Sequence, residues 1–200
     1  MTKMDQMTYT AVLPVGGESR RMGQDKATLQ IRGQPLWKRQ LELLRALGPE
    51  RIFVSARTQP AWLPNDVDLI LDDPPSRGPM SGLTKALAAI ETTHLIVVAV
   101  DMPFMTAGEM GRLLELASQG HGVVPIIGDR AEALAAIYPA EAAKDFEEAL
   151  VGSDFSLQTV VRKLAEAGKV RLWAVPDANL YRSVNEPSDV KEGRFPNCPI

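Results

Sequence analysis

The sequence predicts an α/β fold, with helices layered on a mostly parallel, mixed sheet. Three observations predict it. Short apolar runs rich in β-branched residues alternate with stretches of helical period along the whole chain. Two of those runs, residues 9–15 and 94–100, are almost wholly apolar and read as buried strands. Three strand ends carry chemistry: Gly16-Gly17, Asp73 and Asp101. Open α/β sheets bind ligands beyond the carboxyl ends of their strands, so the three agree.

The elements follow in order. Residues 9–15 form a strand broken by Gly16-Gly17. Residues 35–47 place Leu36, Trp37, Leu41, Leu43, Leu44 and Leu47 on one helical face, and Gly48-Pro49 stops that helix. Residues 51–56 and 68–71 read as short strands and 81–90 as a helix. The strand 94–100 leads into Asp101. A helix over 106–118 takes Thr106 as its N-cap. Strands are expected at 122–127, 133–138 and 170–175, and helices at 140–150 and 157–167. Pro187 opens a short last helix over 188–192. There is no internal repeat, and the expected organisation is one domain, residues 1–193, followed by a loosely ordered tail over 194–200.

The bulk properties exclude several classes of function. With 200 residues, 45% hydrophobic and 24% charged, the chain can bury a large core without staples. The net charge of −3 offers no general field for nucleic acid or an anionic membrane, so neither is an expected partner. One cysteine, Cys198, excludes an intramolecular disulfide and a cysteine-rich metal site. The polar residues 1–8 are not a signal peptide, and the longest apolar run, 95–100, is far short of the ~20 residues that span a bilayer. The cytoplasm is the expected location, and a monomer or weak homo-oligomer the expected state.

The first strand end reads Leu13-Pro14-Val15-Gly16-Gly17-Glu18-Ser19-Arg20-Arg21-Met22-Gly23-Gln24-Asp25-Lys26. Three glycines let the backbone approach a phosphate and point N–H groups at it, and Arg20, Arg21 and Lys26 add positive charge. The loop is neither a Walker A motif nor a G-x-G-x-x-G fingerprint. The second end, Asp72-Asp73, precedes Pro74-Pro75-Ser76-Arg77-Gly78-Pro79-Met80-Ser81-Gly82. That stretch is either a solvated turn or, through Gly78 and Gly82, a place where a base or ribose packs closely. At the third end, Asp101 follows the most hydrophobic strand. It either holds a divalent ion, which relieves the cost of a carboxylate there, or caps the following turn. Asn185, in Ser183-Val184-Asn185-Glu186-Pro187, is either a second polar ligand or a helix cap. His94 and His121 have no partner spacing for zinc or a catalytic triad, and read as packing or surface residues.

The stretch from Gly16 to Ala27 resembles the signature G-G-x-S-x-R-M-G-x-D-K-A of the molybdenum cofactor guanylyltransferases and their MobA-like nucleotidyltransferase relatives. The resemblance continues in order through Gly33-Gln34-Pro35-Leu36, Asp73, Gly78-Pro79-Met80-Ser81-Gly82, Asp101-Met102-Pro103-Phe104 and Val184-Asn185-Glu186-Pro187. It implies a three-layer, Rossmann-like nucleotidyltransferase fold. It also implies Mg²⁺, a nucleoside triphosphate with GTP favoured, and a phosphorylated acceptor such as molybdopterin. Pro14, Val15, Gly16 and Gly17 then line the nucleotide, and Arg21 and Lys26 hold its phosphates. Ser55, Asp73 and Gly78 lie near base and ribose, and Asp101 with Asn185 holds the metal. Arg21, Lys26 and Asp101 are the implied catalytic set. The chain departs from the pattern at Pro14-Val15, where Leu-Ala is usual, at Ser55, and at Ser183. A cytidylyltransferase, a sugar- or alditol-phosphate nucleotidyltransferase, and a non-catalytic nucleotide-binding protein are the alternative readings.

Overall fold

The computed structural model describes residues 7–15 and 25–184. The expected helix over 188–192, the tail over 194–200, and Gly16, Gly17, Arg21 and Asn185 lie outside the described residues.

The sheet is built from β1 (Tyr9–Pro14), β4 (Arg51–Ala56), β5 (Asp68–Leu71), β6 (His94–Val98), β7 (Gly122–Ile127), β9 (Ala135–Pro139) and β10 (Val170–Ala174). Its order is β10-β7-β9-β6-β1-β4-β5, with β8 (Arg130–Ala131) added to β7. The strands β5, β4, β1 and β6 run parallel, as do β7 and β10. β9 runs antiparallel to both its neighbours, so the sheet is mixed and mostly parallel. A separate hairpin of β2 (Gln30–Ile31) and β3 (Gln34–Pro35) turns through Arg32 and Gly33, both at positive φ.

Helices cover both faces. On one face α1 (Leu36–Ala46) and α3 (Ala107–Leu116) bury Leu36, Leu41, Leu44, Met110 and Leu113 against Ala11, Leu13 and Ile96. On the other, α2 (Pro79–Ala89), α4 (Ala143–Val151) and α5 (Leu157–Glu166) bury Leu83, Phe146 and Leu164 against Val12, Leu95 and Val97. Alternate residues of one strand feed opposite cores, which is why both central strands read as continuously apolar. Tyr138 and Phe146 meet edge to face, ring centroids 5.2 Å apart, at the centre of the second core.

The expected elements recur with shifted ends. β6 stops at Val98, because Ala99 bonds to Leu134 O and Val100 to Pro14 O as the chain turns. The helix expected from residue 140 begins with a 3-10 turn, Ala140–Ala142, after Pro139. α2 starts two residues earlier than expected: Gly78, at φ +64°, sets Pro79 at the first helical position. Thr106 caps α3 by accepting from Glu109 N at 3.1 Å. Among the described residues no helix is long and apolar enough to cross a membrane.

His94 opens β6 as a fully buried imidazole. Its Nε2 faces Ser118 O at 3.1 Å and its Nδ1 faces Thr93 Oγ1 at 2.9 Å. Burial lowers its pKa from the ordinary 6.5, with the His121 and Ser118 carbonyls opposing. The unfolded imidazole therefore takes up its proton first as pH falls. Stability from this group is complete above the unfolded value and declines below it. Unfolding free energies measured at about pH 7.5 and about pH 5.5 are expected to drop more for the parent than for His94→Gln. Equal drops contradict this assignment.

Candidate active site

The strand order reverses at β1. The chain pairs β1 with β4 on one side and crosses to β6 on the other, both parallel. A crevice forms at such a switch point, beyond the carboxyl ends. Pro14 pairs in register with Ser55, Val15 N donates to Ser55 O at 2.9 Å, and Val100 N donates to Pro14 O at 3.3 Å. Pro14, Val15, Ser55 and Asp101 therefore share one edge of the sheet.

Lys26 reaches that edge as well. It begins a 3-10 turn, Lys26–Thr28, capped by Asp25, whose Oδ1 accepts from Ala27 N at 3.0 Å. Trp62 Nε1 donates to the other oxygen of Asp25 at 3.3 Å, and Trp62 stacks on Trp37 with centroids 4.9 Å apart. Lys26 Nζ lies 3.4 Å from Asp101 Oδ2, the two side chains being 20% and 26% exposed. These two expected site residues, 75 positions apart, are brought together.

Asp101 sits on a turn held from several directions. Val184 N donates to Asp101 O at 2.8 Å, drawing the segment after the 3-10 turn Ala178–Tyr181 against the strand end. Ser183 and Tyr181 line the same cavity as Asp101. Tyr181 donates to the buried carboxylate of Glu109 at 2.9 Å, which anchors this segment to α3. Burial first, and then that bond, push the Tyr181 pKa far above the usual phenol range.

The second strand end differs from expectation. Asp73 does not turn toward Ser55; its side chain is 82% exposed and pairs with Lys85 at 2.8 Å. Asp72 is the inward residue. Its N–H continues the ladder to Ala56 O at 3.0 Å, and its Oδ2 accepts from Ser76 Oγ at 2.7 Å. Its Oδ1 is buried and has no hydrogen-bond partner among the described residues. A Cβ on Gly82 would collide with Ser55 Oγ and lie 3.6 Å from Asp72 Oδ1. Only glycine there lets α2 come close enough to bring Ser55 and Asp72 to one place. Strand alternation, which puts Asp72 on the face of Ile70, was the signal in the sequence that distinguishes the two aspartates.

Beyond Asp101, toward β9, opens a cavity of about 660 Å³ lined by Arg77, Asp101, Arg130, Glu132, Phe155 and Tyr181. The Arg77 guanidinium lies over the Phe155 ring, 4.2 Å from its centroid. Burial raises the Glu132 pKa, and Arg130 beside it opposes that shift. Sequence reasoning missed this wall, because Arg77, Arg130 and Phe155 come from three segments with no shared motif. Gly78 lies at the start of α2, adjoining Arg77 on this rim.

Residues 11–170 match the family model described as the MobA-like NTP transferase domain. The chain is 37% identical over 173 residues to a protein of Opitutus terrae named "Probable molybdenum cofactor guanylyltransferase", covering 85% of this chain and 86% of that one. It is 31% identical over 192 residues to a "Molybdenum cofactor guanylyltransferase" of Cereibacter sphaeroides, covering 92% and 94%. Among solved structures, a nucleotidyl transferase from Methanothermobacter thermautotroptrophicus superposes with a TM-score of 0.72 at 17% identity, covering 91% and 94%. That likeness concerns the fold, and it matches the mixed sheet flanked by helices described above. The sheet edge that joins Lys26 to Asp101 falls inside the matched residues, and this chain belongs to the family of MobA-like NTP transferase domains.

Proposed function

We propose that this chain transfers GMP from GTP to a phosphate of molybdopterin and releases pyrophosphate. The observation that carries this reading is the Lys26–Asp101 pair, 3.4 Å apart at the switch point between β1 and β6. In this reading the pair supplies a cation for the triphosphate and an anion for a divalent ion. The names carried by the two relatives, molybdenum cofactor guanylyltransferase, support the choice of nucleotide and acceptor.

In the reaction, an oxygen of the acceptor phosphate bonds to the α-phosphorus of GTP. The bond from that phosphorus to the bridging oxygen breaks, and pyrophosphate leaves with the electron pair. The attacking oxygen is already anionic at neutral pH, so no strong base is required. Positioning and charge neutralisation do most of the work.

The donor set suits Mg²⁺, which takes one or two carboxylates and fills its octahedron with phosphate oxygens and water. Asp101 is one such carboxylate. Among the described residues no group of three or more His, Cys, Asp or Glu stands together as an all-protein cage. Asp101 and Asn185, the residue after Val184, would hold the ion. When bound there, Mg²⁺ supplies neutralisation of phosphate charge. Lys26 and Arg21 orient the phosphates, while Pro14, Val15, Gly16 and Gly17 line the nucleotide.

Ser55, Gly78 and Asp72 face base and ribose, with Asp72 taking the role expected of Asp73. A buried carboxylate oxygen with no partner among the described residues favours a base edge rich in donors. Guanine offers adjacent N1–H and N2–H₂ groups, whereas cytosine interrupts its amine with an acceptor at N3. The acceptor enters from the β9 side, where Arg77 and Arg130 offer charge to its phosphate. The reaction is assigned to the cytoplasm.

Pyrophosphate release is measured with GTP and with CTP, each with molybdopterin and Mg²⁺. The parent is expected to turn over with GTP preferred, and Asp101→Asn to lose about 10²–10³-fold in kcat. No turnover, or no preference for GTP, contradicts the assignment. A second comparison separates the aspartates: Asp72→Asn is expected to raise the KM for GTP about tenfold, the loss of roughly 1.4 kcal/mol of binding. Asp73→Asn, at an exposed side chain that pairs with Lys85, is expected to leave KM within about twofold. The reverse ranking restores Asp73 to the site.

A further inference from the structure

Helix α1 carries a polar side chain where a leucine would be expected. Gln40 lies between the buried Leu36, Leu41 and Leu44 and is itself 0% exposed. A buried amide is costly unless its groups are paired. Gln40 pairs only half of them. Its Nε2 donates to Met102 O at 2.5 Å, while its Oε1 is buried with no partner among the described residues. The donor assignment is set by its partner, since a carbonyl oxygen can only accept. Met102 O also accepts from Met105 N at 3.2 Å, so it does not depend on Gln40 for satisfaction. Folding alone therefore gives little reason for an amide at this position.

The geometry around Met102 supplies a reason. Met102 directly follows Asp101, and the next carbonyl, that of Pro103, accepts from Arg39 Nε at 2.8 Å. Two successive residues of α1 thus grip two successive carbonyls just past Asp101. The preceding carbonyl, that of Asp101 itself, is held by Val184 N. The start of the same helix is tied to the other charge of the site: Leu36 N donates to Leu29 O at 2.9 Å, and Leu29 N to Lys26 O at 3.1 Å. One helix is therefore tied to the backbone of Lys26 through Leu29 at its first residue, and to the backbone beyond Asp101 one turn later.

We infer that Gln40, assisted by Arg39, is a positioning residue that fixes the Asp101 turn relative to Lys26, and thereby the affinity of the site for the metal–nucleotide complex. This rests on the reading of Asp101 as the metal carboxylate. Gln40 touches neither nucleotide nor metal; it acts through the Met102 carbonyl. An ångström of drift at a positioned group can cost about 10²-fold.

The test reads binding rather than turnover, so it does not depend on the acceptor. The dissociation constant of GTP is measured by titration calorimetry with Mg²⁺ and with EDTA, and the ratio of the two gives the Mg²⁺ enhancement. Thermal unfolding is followed in parallel. Gln40→Leu, similar in volume and lacking the donor, is expected to stay folded and to lose the enhancement about tenfold, with GTP affinity in EDTA within about twofold of the parent. An enhancement equal to the parent's overturns the inference and leaves the proposed function intact. A parent with no Mg²⁺-linked binding overturns the proposed function, and this inference with it.

Gln40→Glu decides the matter if the leucine variant fails to fold. Its protonated carboxyl regains an O–H donor for Met102 O, whereas its carboxylate is repelled by that oxygen. Its enhancement relative to the parent's is expected to recover as pH falls from about 8 to about 6. A ratio that stays flat across that range overturns the inference.

Discussion

The ion pair between Lys26 and Asp101 is the contact around which this molecule is arranged. As a stabilising interaction it is minor. Both side chains are partly exposed, and a pair of this kind contributes about 0–1 kcal/mol. Its importance lies in what must be right for it to exist. The two residues belong to different loops, 75 positions apart, and meet only because β1 and β6 are neighbours in one sheet. The pair is therefore a direct readout of the topology. Anything that shifts β6 against β1, or α1 against either, moves one charge relative to the other.

The sheet makes that placement rigid. β1 is buried between two parallel partners, with helices on both faces, so its carboxyl end has no freedom to wander. Among the described residues, β9 adds the one reversal in the long strands. Because it runs the other way, the segment leading into it, residues 131–134, arrives at the same edge as the carboxyl ends. That is how Glu132 and Arg130 come to wall a cavity shared with Asp101. The last described residues, from Tyr181 to Val184, close the far side by bonding to Glu109 and to Asp101. Segments from both ends of the chain therefore converge on one carboxylate.

Much of this was legible in the sequence. Residues 51–56, 68–71 and 122–127 coincide with β4, β5 and β7, because β-branched runs bounded by turn residues leave little choice. Thr106 announced the start of α3 by its side chain and its spacing to Glu109. Lys26 and Asp101 could be placed near one another from the rule for α/β sheets, without knowing the distance. What was not legible depended on tertiary direction. Strand alternation marks Asp72 as the inward aspartate, but that Gly82 of α2 comes close enough to bring Ser55 and Asp72 together is a contact invisible along the chain. The reversal of β9 leaves no mark in a run of five buried residues, since parallel and antiparallel central strands look alike when both faces are covered. Gln40 escaped notice because a glutamine in a helical pattern is ordinarily a surface residue.

The central claim is that Lys26 and Asp101 act as one unit on a bound metal–nucleotide complex. A double-mutant cycle tests it most directly. The free energy of GTP binding in Mg²⁺ is measured for the parent, for Lys26→Met, for Asp101→Asn and for the double variant. If the two residues act together, the single effects fail to add, with a coupling energy above about 0.5 kcal/mol. Effects that add to within about 0.3 kcal/mol would mean that the two charges work independently. Their closeness in this fold would then have no part in binding.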